Sequence, residues 1–408
     1  MKILNFGSCN LDFVYSLHHI VEVGETQTTY SLNTFPGGKG LNQSIALARA
    51  GVQVYHAGCI GEDGQMLRDV LNDSGVDTTY LRIVEGKNGH AVIQVSDNGE
   101  NSIFLYPGSN EKVDKAYIDK VLSDFSSGDI ILLQNEISHV PYIIEQAYKK
   151  GMCIVLNPSP YNSELASIDI SMLSYLILNE GEAKQMTGRD EPYAALMYFA
   201  SKYPCLKVML TLGSKGCIYK DAKNELSHPI FDVKVVDTTA AGDTFTGYFV
   251  AGVANGEDHQ TVLKNASCAS ALSVMKNGAA PSIPLRGEVM AALKILSLHK
   301  KKKTSDIEAK IEQYLSANMT CATIDGLSKA LGYSKVYTGK IVKESMGMSF
   351  SDLLKTKRCE KASELLLSTD LPVSKIISET GYANETFFRR TFKQIYGKKP
   401  LEYRKNRG

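Results

Sequence analysis

The sequence predicts an α/β protein with a mostly parallel sheet, followed by a smaller all-helical domain. Three observations carry that prediction. Over the first 299 residues, short apolar runs alternate with helical patterns, the signature of βαβ units with helices on both faces of one sheet. Past residue 304 the pattern is helical to the end. Charge divides at the same place: residues 300–408 hold 22 Lys and Arg against 12 Asp and Glu, a net +10, while residues 1–299 carry −9 and the whole chain only +1.

The elements follow in order. Strands are expected at residues 2–7, 54–57, 130–133, 153–157, 175–178 and 208–211. Helices are expected at 40–50, 63–74, 141–151, 180–186 and 193–202. Residues 26–35 and 91–106 depart from this; the second is split by the turn Asp97-Asn98-Gly99 and both alternate like an exposed hairpin, which suggests a small separate sheet such as a lid. An amphipathic helix at 287–298 closes the first domain (1–298), and the lysine run at 299–304 reads as a basic linker. The second domain (305–408) has helix–turn–helix proportions twice. Helices at 323–331 and 335–346 flank Gly332-Tyr333-Ser334, helices at 373–380 and 384–396 flank Gly381-Tyr382-Ala383, and a helix at 349–368 joins the pairs.

Composition excludes several classes. At 408 residues the chain is too long for one ordinary core, and 43% hydrophobic with 22% charged residues is usual for a globular protein. No run of eighteen apolar residues marks a membrane span, and the N-terminus lacks a signal peptide pattern. Eight scattered cysteines without a C-x-x-C pair read as reduced thiols in a cytoplasmic protein. A basic block behind an acidic body suggests a polyanionic partner.

Three glycine-containing motifs could carry chemistry. Phe35-Pro36-Gly37-Gly38-Lys39-Gly40-Leu41-Asn42-Gln43 opens a helix whose N–H groups could face a ligand, with Lys39 and Asn42 suited to sugar hydroxyls; it also serves as a plain tight turn. Thr211-Leu212-Gly213-Ser214-Lys215-Gly216 follows a strand and could cradle a nucleotide, without the spacing of a Walker A motif. Asp237-Thr238-Thr239-Ala240-Ala241-Gly242-Asp243 leads into a helix that starts near Ala241. Backbone N–H groups at Ala240, Ala241 and Gly242 could form an anion hole, and Asp243 could take a proton from an attacking hydroxyl. Asp243 could equally serve only as an acidic residue at a helix N-terminus.

Together with Gly7-Ser8-Cys9-Asn10-Leu11-Asp12, Asn157-Pro158-Ser159-Pro160, Asn179-Glu180-Gly181-Glu182 and Gly278-Ala279-Ala280-Pro281-Ser282, these motifs resemble the ribokinase branch of the PfkB carbohydrate kinases from about residue 3 to 284. The resemblance implies a three-layer α/β sandwich with a small β lid. It implies sugar contacts from Asn10, Leu11, Asp12, Gly38, Lys39, Gly40, Leu41, Asn42 and Glu136, with Asp243 as the base. Asn179 and Glu182 would organise Mg²⁺ and phosphate, and Thr211–Gly216, Gly242 and Ser267 would hold ATP. Asp237, Thr239, Ser273, Lys276, Gly278 and Ser282 would form a K⁺ site, the last four mainly through backbone carbonyls. Ribose is the expected sugar, with deoxyribose, fructose or a nucleoside as alternatives. Ser267 stands where a larger polar residue is usual against adenine, and Tyr106-Pro107-Gly108-Ser109-Asn110 departs from the usual lid return. A homodimer through the kinase domain is expected.

The ending Phe392-Lys393-Gln394-Ile395-Tyr396-Gly397-Lys398-Lys399-Pro400 resembles the AraC/XylS DNA-binding domains. That resemblance implies double-stranded DNA as partner and recognition helices at 334–344 and 384–393. Ser334, Lys335, Thr338, Asn384, Glu385 and Arg389 are expected at base edges, and Lys340, Arg390 and Lys393 on phosphates. Phe387, Phe388 and Phe392 are expected in the core. The whole reads as a kinase fused to a transcription regulator, or as a regulator whose kinase fold only senses sugar.

Overall fold

Thirteen strands form two sheets in the chain, whose computed structural model describes residues 1–405, leaving aside the side chains of 296–306 and 344. In chain order they are β1 (Ile3–Phe6), β2 (Asn10–Leu17), β3 (Ser31–Gly37), β4 (Tyr55–Ile60), β5 (Asp77–Ile83), β6 (Gly89–Ser96), β7 (Asn101–Tyr106), β8 (Ile130–Gln134), β9 (Cys153–Asn157), β10 (Tyr175–Asn179), β11 (Lys207–Thr211), β12 (Cys217–Lys220) and β13 (Glu225–His228). The large sheet has the order β13-β12-β11-β10-β9-β8-β1-β4-β5. Its strands pair in parallel from β5 to β11, and β12 and β13 add an antiparallel edge. Its central strands are mostly apolar (β8 reads Ile-Ile-Leu-Leu-Gln and is wholly buried), as a sheet covered on both faces requires.

The chain order reverses between β1 and β8. Strands on one side run 1-4-5 and on the other 8-9-10-11, so the connections leave in opposite directions and open a crevice at the C-terminal ends of β1 and β8. The second sheet, β3-β2-β6-β7, is the small lid expected from the alternating segments. Its central strand β2 was not expected. It pairs antiparallel to β3 and parallel to β6, so one strand ties together two distant segments. Residues 26–30 lie outside it.

The chain divides into two compact units, Met1–Leu293 and Lys294 onward, and the division falls inside one helix, Arg286–Asn318. The sequence reading ended that helix at 298. The lysine run expected as a linker has its side chains outside the described residues. In the second unit, helices Ile324–Leu331 and Lys335–Met346 form the first helix–turn–helix, and Val373–Glu379 and Glu385–Tyr396 the second. Each unit has its own core. Ile311, Leu315, Leu327, Val342 and Leu353 fill one; Cys359, Leu366, Ile376, Phe388 and Phe392 fill the other. The helix Phe350–Ser368 gives Leu353 to the first and Cys359, Ala362 and Leu366 to the second. No helix among the described residues is long and apolar enough to cross a membrane.

Candidate functional site

The crevice between β1 and β8 is closed by backbone contact. Helix Lys39–Arg49 begins against the end of β1, and a Cβ on Gly40 would lie 2.3 Å from the Ser8 nitrogen, so only glycine permits the approach. Gly38, which precedes the helix, has φ 92°, which favours glycine. Just beyond β8, Glu136 reaches back: its Oε2 accepts from Ser8 Oγ at 2.5 Å and from the Lys39 N–H at 3.0 Å. A carboxylate at a helix N-terminus is electrostatically favoured. Burial nevertheless pushes the Glu136 carboxyl up, against the Lys39 charge and these hydrogen bonds.

Asp243 lies in the first turn of helix Ala241–Ala254 and is buried. Both of its oxygens are held from the Lys39 helix: Oδ2 accepts from Asn42 Nδ2 at 3.0 Å, and Oδ1 from Gln43 Nε2 at 2.9 Å. Gln43 also donates to Asn157 Oδ1 and accepts from Gln134 Nε2, which in turn donates to Asn5. Sequence reasoning missed Gln43, although it sits in the quoted glycine motif. It also missed Ser8 and Asn110, whose amide links Asn10 Oδ1 to the Cys9 N–H.

Other charges converge here. Asp12, on the lid strand β2, packs so closely on Gly37 that a Cβ there would sit 1.9 Å from its Oδ2. Its carboxyl is pushed up to about 7, first by burial and then by the nearby Glu136 and Asp243 carboxylates. Lys39 is held above its ordinary range mainly by Asp243, and also by Glu136 and Glu182. Asn42 Oδ1 is buried without a partner, an acceptor placed for a hydroxyl donor. Leu11 and Leu41 are both buried in the core, and β2 alternation turns Leu11 to the face opposite Asn10 and Asp12. They have only backbone to offer a ligand.

Ala240, at φ 58°, is one of two non-glycine residues with positive φ among the described residues. That strain costs about 1–2 kcal/mol and sets the start of the Asp243 helix. The Ala241 N–H that follows is taken by the Thr238 carbonyl at 3.2 Å, so of the expected anion-hole donors within the helix Gly242 is the one left without an intrahelical partner, and the space beside it is open. Gly242 and Ala241 line a cavity of about 430 Å³, together with Thr211, Gly213, Ser214, Gly216, Asn179 and Ser267. Its walls are largely apolar, including Ile230, Val235 and Phe245. Leu212 and Lys215 are not among its lining residues, and Lys215 lies 3.6 Å from Glu180.

Asn179 and Glu182 form a capping box: Asn179 Oδ1 accepts from the Glu182 N–H and Glu182 Oε2 from the Asn179 N–H. No group of three or more His, Cys, Asp or Glu side chains among the described residues could hold a metal ion. Mg²⁺ needs no such group, because it takes one or two carboxylates and completes its shell with phosphate oxygens and water. The buried Glu182, close enough to act on Lys39, fits that requirement.

Asp237 joins two loops, accepting from Thr239 Oγ1 and N–H on one oxygen and from the Gly278 N–H on the other. Burial pushes its carboxyl up, but these hydrogen bonds outweigh burial and hold it below the usual range. Ser273 and Ser282 spend their hydroxyls on the carbonyls of Ser270 and Ala279, and Lys276 pairs with Glu288, so these three side chains are engaged elsewhere. What remains is an oxygen-rich loop pair with one ionised carboxylate, a donor set that suits a hard cation.

In the second unit Ser334 and Asn384 are the N-caps of equivalent helices, accepting from the N–H groups of Tyr337 and Phe387. Lys335, Lys340, Glu385, Arg390 and Lys393 are exposed and Arg389 half-buried. Lys335 pairs with Asp325 at 3.0 Å, and Glu385 with Arg389 at 2.7 Å. Two expectations are overturned. Thr338 is fully buried and cannot reach a base edge, because it occupies the core position four residues after its cap. Phe387 is 48% exposed rather than in the core, unlike Phe388 and Phe392.

Residues 1–286 match the pfkB family of carbohydrate kinases. The chain belongs to that family. Among relatives of this pfkB member, the ribokinase of Bacillus subtilis is 35% identical over 288 residues, 69% of this chain and 96% of the relative. The structure of ribokinase from Cryptococcus neoformans in complex with ADP superposes with a TM-score of 0.65 at 33% identity, covering 71% of this chain and 99% of that one. That of Arabidopsis thaliana ribokinase complexed with ribose and ATP gives 0.63 at 30% identity, covering 72% and 98%. Residues 327–406 match a helix-turn-helix domain of AraC/XylS type. A carbohydrate kinase of the pfkB family is thus joined to a DNA-binding domain.

Proposed function

We propose that the chain transfers the γ-phosphoryl group of ATP to the primary hydroxyl of a sugar, D-ribose first among candidates, and that it also binds a specific DNA sequence and regulates transcription. The observation that carries the kinase half is Asp243, in the first turn of its helix with both oxygens fixed by Asn42 and Gln43, close enough to act on the Asp12 carboxylate of the lid. In this reading Asn10, Asp12, Lys39, Asn42 and Glu136 orient the sugar hydroxyls. Asp243 accepts the proton of the attacking hydroxyl, and the helix start at Ala241–Asp243 stabilises the negative charge that spreads over the transferring group. The apolar cavity accepts the nucleotide base. Mg²⁺, when bound, offsets charge on the phosphates, with Glu182 and Asn179 placed to orient it. K⁺ would be held by the Asp237 and Gly278 loops. Closure of the lid sheet excludes water that would compete as acceptor. The relatives' complexes with ADP and with ribose and ATP support this assignment.

ATP consumption is to be measured over pentoses, hexoses and nucleosides, with and without K⁺, beside Asp243→Asn. Turnover is expected with ribose, falling roughly 10²–10⁴-fold in the variant. A wild type silent on every acceptor would favour the second reading, a regulator that senses sugar. For the DNA half, sugar, nucleotide or sugar phosphate is expected to shift operator affinity in fluorescence anisotropy. Equal affinity with and without every ligand would show that the two functions are merely covalently joined.

A further inference from the structure

We propose that the two helix-turn-helix units read DNA by different chemistry: the first through thymine methyl groups, with Val336 as the contact, and the second through guanine acceptors, with Arg389 as the contact. This rests on the DNA-binding reading above and divides it between two helices.

The two units are the same device built twice. Ser334 and Asn384 cap equivalent helices, Gly347 and Gly397 end them in left-handed conformation, and the core positions Thr338, Ile341 and Val342 correspond to Phe388, Thr391 and Phe392. The opposite face is then Val336, Lys340 and Lys343 in one helix and Thr386, Arg390 and Lys393 in the other, spaced i, i+4, i+7. All six are exposed. Paired cations at matching places suit phosphates on both sides of a groove.

The base-facing positions differ. In the second helix Arg389 has its guanidinium oriented by Glu385, with Nε and Nη2 both directed at Oε1 (2.8 and 2.7 Å). A planar fork held in one orientation suits the O6 and N7 acceptors of guanine. In the first helix that position is Gly339, which has no side chain, and Lys335 is drawn toward Asp325 on the preceding helix. What remains forward is Val336, 86% exposed, beside Tyr337, 50% exposed and packed edge-on against Tyr333. An apolar surface one turn before phosphate-binding cations has one specific partner in the major groove, the thymine C5 methyl.

The test uses the full chain. A preferred duplex is selected from a random pool, and affinity is followed by anisotropy as each thymine is replaced by deoxyuridine and each guanine by 7-deazaguanine. Under the first unit, one deoxyuridine is expected to weaken the wild type about 4-fold, the worth of one buried methyl. Val336→Ala should lose as much on the thymine duplex and be indifferent to the replacement. Under the second unit, one 7-deazaguanine should cost roughly 5- to 150-fold, and Arg389→Ala should be indifferent to it. Retained low-salt binding to bulk DNA shows that each variant is folded. If each variant remains as sensitive to its base replacement as the wild type, the assignment is overturned while DNA binding stands. If selection enriches nothing above bulk DNA, the DNA-binding reading falls and takes the assignment with it.

Discussion

Asp12 sets a pH dependence that can be signed in advance. Its carboxyl stands at about 7 against an ordinary 3.8, raised by burial and by Glu136 and Asp243. To accept from a sugar hydroxyl at both oxygens it must be ionised, so kcat/KM for the sugar should fall as pH drops through about 7, and Asp12→Asn should flatten that limb. Stability runs the other way. The neutral carboxyl favours the folded state fully below the unfolded value of 3.8, and this contribution is lost as pH rises through about 7. Gln43 offers a second test. Gln43→Glu replaces the donor to Asp243 Oδ1 with a like charge, so kcat should fall further than for Gln43→Met, which removes the hydrogen bond alone. Residue types and glycine spacing singled out Asp243 and Asn42 in the sequence, and the family resemblance alone pointed to Glu136. Gln43 was not singled out, because its importance lies in a hydrogen bond to a residue 200 positions away. Thr338 is a different case: it occupies the core position that Phe388 holds in the second unit, and a small polar residue there gives no apolar signal.

Among elements, those with both faces buried were the readable ones. Strands β8 to β11 are short apolar runs bounded by helical patterns, and each lies within a residue or two of its expected place. Strand β2 escaped because Asn-Leu-Asp-Phe-Val-Tyr-Ser-Leu mixes polar and apolar residues on a sheet exposed on one side, and its parallel partner β6 is remote in sequence. The two helix-turn-helix turns permit a controlled comparison. Gly332 and Gly381 both have left-handed φ, 73° and 78°. A Cβ at Gly332 meets nothing within 4 Å, whereas one at Gly381 lies 2.5 Å from the Thr320 Cα. Gly332→Ala should cost about 1–2 kcal/mol from conformation alone. Gly381→Ala should cost more, because backbone must move as well; thermal unfolding of both variants checks the order.

At the scale of the whole molecule, separate cores and two opposite charges occupy one chain. Phe392 is fully buried in the core of the second helix-turn-helix, so Phe392→Ala should destabilise that unit by about 3–5 kcal/mol. Sugar-dependent ATP turnover should survive while DNA affinity is lost, as parallel turnover and anisotropy assays would show. Composition, period and charge all change near residue 300, whereas the compact units divide at Leu293 and Lys294, inside the helix Arg286–Asn318, whose continuation past the lysine run no composition change announces. The hydrogen bond between Asn42 and Asp243 spans 201 positions, and this separation matters before folding is complete. On a ribosome adding about 5–20 residues per second, Asn42 waits roughly 10–40 s for its partner. Nascent chains in that interval lack the closed crevice and can neither hold sugar firmly nor transfer phosphate. The basic domain is translated later still, so any chain long enough to grip DNA already has a complete kinase sequence ahead of it.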